Sequence, residues 1–120
     1  MRQVIERHDA TRTDGPVSEA VLLILASLAA QPRHGYALMK DIETLSGGRV
    51  RLSTGTLYGA LRRLLDDGWI ERFEQDDTSR EKQAYRLTSE GLRQLQMELE
   101  RMKRLTRAAA VRLRMREARS

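Results

Sequence analysis

The stretch Ser53-Thr-Gly-Thr-Leu-Tyr58 opens the segment whose reading decides the architecture. Ser53 is a strong N-cap, because its side-chain oxygen can accept from an unused first-turn N–H. The helix it opens is expected to run from about residue 54 to residue 67, with Gly68 stopping it. Leu57, Ala60, Leu61, Leu64 and Leu65 form one inner stripe at helical spacing, which leaves Thr56, Tyr58, Gly59, Arg62, Arg63 and Asp66 outward. A ring between a threonine and two arginines is unusual on a face that meets only water. It suits a helix that enters a DNA groove with its N-terminal end toward bases and phosphates. Ser53 and Thr54 then offer hydroxyls and backbone N–H groups to a phosphate. Thr56 and Tyr58 fall where base edges and thymine methyls lie, and Arg62 and Arg63 fall against the backbone. The blander alternative keeps Tyr58 half-buried against a neighbouring hairpin and the arginines as a solvated face.

Working outward toward the N-terminus, a helix fits residues 36–45, with Leu38, Ile42 and Leu45 in one buried row closed by Ser46-Gly47-Gly48. Residues 49–52 alternate basic and apolar, which reads as a very short strand. Ser18 caps an earlier helix that ends near Gln31, because Pro32 pushes the residue before it out of helical geometry. That helix is apolar nearly all round and should be central. His34 reads as a turn or capping residue, and residues 1–16 as a flexible arm ending at Gly15-Pro16.

Toward the C-terminus, residues 69–74 and 83–88 read as two antiparallel strands joined by a polar connection, with Trp69 in the core. Thr88-Ser-Glu-Gly91 opens a last helix reaching about Met115. Leu92, Leu95, Leu99, Met102, Ala109 and Leu113 keep a three-four spacing, and Leu105 begins a second row through Ala108, Val111 and Met115. One seam serves the protein's own core and two predict a partner helix as well, so a homodimer is expected. The fold class is mainly α with a small β-hairpin: a winged helix-turn-helix over residues 17–91, then a dimerisation helix and basic tail over 92–120.

Charge narrows the function without deciding it. The net charge is +5, but eight of the 22 basic residues lie in residues 101–120 against Glu117 alone. Residues 1–100 thus carry 14 bases against 16 acids, so global charge says nothing about a DNA site in the body. Local charge does: Arg49, Arg51, Arg62 and Arg63 occupy a window, 49–65, with no acid. There is no cysteine, which excludes disulfides and thiolate zinc sites, and two histidines make a metal site improbable. No base, nucleophile or ligand set converges, so neither catalysis nor a cofactor is expected. The longest apolar run, from Ala20, is too short for a membrane span, and a cytoplasmic protein is the plain reading.

Residues 17–91 resemble the PadR family of bacterial transcriptional repressors. The matching pieces are His34-Gly35-Tyr36, then Ser53-x-Gly55-Thr56-Leu57-Tyr58, then Leu61-x-x-Leu64-x-x-x-Gly68-Trp69-Ile70-Glu71, and finally Arg80-x-Lys82-x-x-Tyr85-Arg86-Leu87-Thr88-x-x-Gly91. The resemblance implies a dimer on double-stranded DNA, with the residue 54–67 helix in the major groove and the wing near the minor groove. It implies Tyr58 as the family's signature tyrosine, Arg80 and Lys82 as the basic wing, and a short subtype with one C-terminal helix. A small-molecule effector is also implied. Two departures stand out: Thr54 replaces a common proline, and the last helix lacks the aromatic rings that hold flat ligands in some members. The rival class is a winged helix used for protein–protein contact alone.

Overall fold

The computed structural model describes residues 17–73 and 83–119. Helix α1 (Glu19–Ala30) starts where expected, Ser18 accepting from the Val21 N–H at 3.2 Å. Its C-terminal neighbour Gln31 is fully extended, as the following proline requires. Ile24, Leu25 and Leu28 of this helix are buried and lie at the centre of the core.

The extended chain after Pro32 forms strand β1 (Arg33–His34), a strand the sequence reading does not include, and His34 stands at the N-cap position of the next helix. Helix α2 (Gly35–Leu45) follows directly, and Gly47 and Gly48 take positive φ to end it, the Gly48 N–H reaching Glu43 O at 2.8 Å. Ser27 Oγ donates to Asp41 Oδ2 at 2.6 Å, while Arg33 pairs with the same carboxylate and donates to the Ser27 carbonyl. This network locks α1, β1 and α2 together.

Residues 49–52 form no strand, which corrects the sequence reading. Their backbone is spent locally, with the Val50 N–H bonded to Ser46 Oγ at 2.9 Å and Arg49 N–H to Ser46 O at 3.2 Å. Helix α3 (Thr54–Asp67) ends at Gly68, whose φ of 79° allows the Gly68 and Trp69 N–H groups to cap Leu65 and Leu64 carbonyls. That is a Schellman ending, and glycine takes it without steric cost.

Strands β2 (Ile70–Phe73) and β3 (Ala84–Leu87) pair antiparallel with Ile70 opposite Leu87 and Phe73 opposite Ala84. The other edge of β3 takes β1, so the sheet order is β1-β3-β2 rather than a bare hairpin. Helix α4 (Ser89–Arg119) runs one turn beyond the expected end. Thr88 joins three elements: its hydroxyl donates to Gly68 O at 2.6 Å and accepts from the Gly91 N–H, and its own N–H reaches Trp69 O. Gly91 is required by that close approach, because a Cβ there would collide with the Trp69 carbonyl. Among the described residues, no helix is long and apolar enough to cross a membrane.

Candidate nucleic-acid interface

The N-terminal half of α3 presents Ser53, Thr54, Gly55 and Thr56 to solvent together. Ser53 Oγ accepts from the Thr56 N–H at 3.1 Å and donates to Thr56 Oγ1 at 2.9 Å. The two hydroxyls are therefore held as one polar point at the helix mouth. The remaining first-turn N–H groups have no helical partner and add the positive end of the helix dipole. Thr54 supplies no pre-set φ, but the Ser53 cap sets the first turn without a proline.

Tyr58 is 39% exposed, and its placement is specific. The ring leans from α3 onto the first turn of α2, with its hydroxyl over Gly35 where a Cβ would collide with it. Tyr85 of β3 lies near: burial, and next the Tyr58 hydroxyl, push the Tyr85 phenol above its ordinary pKa, while Arg72 opposes them. Tyr58 thus reaches from α3 to α2, with Tyr85 of β3 nearby, and stays partly exposed.

Arg62 and Arg63 are exposed one to two turns further along α3, and among the described residues neither has an ion-pair partner. Arg51 pairs with Glu43 at 3.0 Å, and Arg49 is exposed. The wing's Arg86 is engaged with Glu71 at 2.8 Å and stacks over Phe73. Arg80 and Lys82 lie outside the described residues. Among the described residues no group of histidines and carboxylates has the arrangement of a metal site.

Sequence reasoning missed Tyr36. It is 70% exposed at the start of α2, with Lys40 5.9 Å from its ring centroid, on the side of α2 away from the core. The signal was present, since Tyr36 and Lys40 share a helical row that avoids Leu38 and Ile42. His34 sits at the N-cap position of α2 without a capping bond, its Nε2 buried and unpartnered among the described residues.

On α4 the expected dimerisation residues divide. Leu95 is buried in the protomer's own core, whereas Leu92, Leu99, Leu105 and Leu113 are 44–60% exposed, with Met102 and Ala109 also on the surface.

Three helices, a three-stranded wing and a solvent-facing third helix define a winged helix-turn-helix. The chain belongs to the transcriptional regulator PadR-like family, whose sequence profile matches residues 24–97. Solved structures agree on the fold. A PadR family transcription regulator of Clostridium difficile R20291 superposes with a TM-score of 0.67 at 22% identity, covering 80% of this chain and 99% of that one. RosR of H. salinarum gives 0.62 at 24% identity, with 85% and 96% covered. An uncharacterised 37.1 kDa protein in transposon TN4556 of Streptomyces fradiae is 38% identical over 89 residues. That match takes in 74% of this chain but 24% of the relative, so the chain spans about a quarter of that protein's length.

Proposed function

We propose that the chain binds double-stranded DNA as a homodimer on an inverted-repeat operator and represses transcription from it, working in the cytoplasm. The observation that carries this is the polar outer surface of α3, with the Ser53–Thr56 point, the Tyr58 ring and two exposed arginines that have no ion-pair partner among the described residues. Two-fold symmetry would set the two α3 helices about one DNA turn apart, roughly 34 Å. The exposed leucines of α4 give a second protomer an apolar seam. A small-molecule release signal fits the family, and α4 offers it no aromatic ring to stack on.

The test is fluorescence anisotropy with DNA from upstream of the protein's own coding sequence. Tyr58→Ala should weaken operator binding at least tenfold while far-UV circular dichroism stays unchanged. Equal operator affinity in a folded variant would remove Tyr58 from the interface. Absence of any salt-sensitive, sequence-dependent binding by the wild type would favour the protein-contact reading.

A further inference from the structure

The distal half of α4 is used neither by the fold nor by the reading helix. From residue 101 to 119 every side chain except that of Ala110 is exposed, over a length of roughly 28 Å at 1.5 Å per residue. Its charge is lopsided: eight bases face Glu117 alone, while residues 89–100 carry Glu90, Glu98 and Glu100 against Arg93. Ordinary helix chemistry accounts for three of the eight. Arg101 pairs with Glu98 at 2.6 Å, and Arg116 and Arg119 meet the negative end of the helix dipole. Lys103, Arg104, Arg107, Arg112 and Arg114 remain, and among the described residues none has a carboxylate in ion-pair range. Lys103 and Arg107 even stand at i, i+4, where like charges repel. These charges oppose helix formation slightly and are complementary to a polyanion.

The pattern around the helix selects which polyanion. Lys103, Arg107 and Arg114 share one row and Arg101, Arg112 and Arg119 another, so bases border the Met102, Ala109, Leu113 stripe on both sides. The apolar surface is therefore split into narrow stripes. A helix lying on a membrane uses one broad apolar face with aromatic anchors, and α4 has neither. Duplex DNA asks only for exposed cations spaced along a rod.

We infer that the distal half of α4 is a second DNA contact, gripping the phosphate backbone without regard to sequence and outside the bases faced by α3. The choice of ligand rests on the DNA-binding reading above. The experiment is the salt dependence of binding by the full chain, measured on operator and on scrambled duplex. The variant combines Arg104→Gln, Arg107→Gln, Arg112→Gln and Arg114→Gln, glutamine being a good helix former. The slope of log affinity against log salt should shrink by about 2 to 4 units, since each released phosphate contact contributes about 0.9. Preference for operator over scrambled DNA should survive, and lysine at the same four positions should restore the slope. An unchanged slope in a helical variant would overturn the inference. So would loss of dimer mass, which would assign the arginines to a second copy. Binding of phosphatidylserine vesicles, lost in the variant with the DNA slope intact, would assign them to membrane. The two readings fail separately: sequence preference with an unaffected slope sinks this inference alone. Slope-dependent binding without sequence preference sinks only the operator reading.

Discussion

Gly35 shows how one absent side chain shapes the surface we assign to DNA. Its φ is unremarkable, so backbone freedom is not the reason for glycine there. The Tyr58 hydroxyl occupies the space a Cβ would need, so the ring can reach α2 only because residue 35 is glycine. Gly35→Ala should force the ring off its preferred rotamer at a cost of about 1 kcal/mol. DNA affinity should fall by about tenfold or more, since the displaced ring leaves the reading face. Urea titration and anisotropy together check this, and Tyr58→Phe in the same background should recover stability before affinity. The sequence exposed both residues as notable but not their contact. Gly35 and Tyr58 are 23 positions apart in the chain, and nothing local says which way the ring turns. Tyr36 was missed for the opposite reason: attention to the buried row passed over the outward one.

The helices were legible because their stops are chemical: Ser18 and Ser53 as caps, Pro32 and the glycines after α2 and α3 as ends. The sheet was legible only in part. Two residues make a strand of β1 solely because the edge of β3 not taken by β2 lies beside them, a juxtaposition set by tertiary packing. The alternating residues 49–52 had the better pattern, but the Val50 and Arg49 N–H groups are spent on Ser46. On α3, the element that carries the interface, Arg62 stands a full turn past Tyr58 and should touch phosphate. Arg62→Ala is expected to lower affinity for every sequence alike and to reduce the salt slope by about 0.9, measured on specific and random duplexes. Loss of base preference instead would move Arg62 to the bases.

At the scale of the molecule, α4 belongs both to the core and to whatever lies outside it. Glu98, buried at the junction with α1, is held below the usual carboxylate range chiefly by its bond to Arg101, with the Val17 N–H assisting. A carboxylate whose folded pKa is depressed stabilises the fold at pH values above its unfolded pKa of about 4.3. That contribution is lost as pH falls through the lower folded value. Stability to urea should therefore decline below about pH 5, and Glu98→Gln should flatten that decline. Further out, Leu105 is 60% exposed on the seam we assign to the second copy. Leu105→Glu should reduce the light-scattering mass from twice 13.8 kDa to that of one chain, with the monomer still helical.

The Thr88 junction has a consequence for how such a dimer measures DNA. One hydroxyl fastens the tail of α3 to the head of α4, with Gly91 drawn against the Trp69 carbonyl. The junction ties α3, to which we assign the DNA, directly to α4, to which we assign the second protomer. The dimer we propose would then act as a fixed caliper rather than as two heads on tethers. Inserting about half a helical turn between operator half-sites puts the second half-site on the wrong side of the duplex, where no flexing of a linker can recover it.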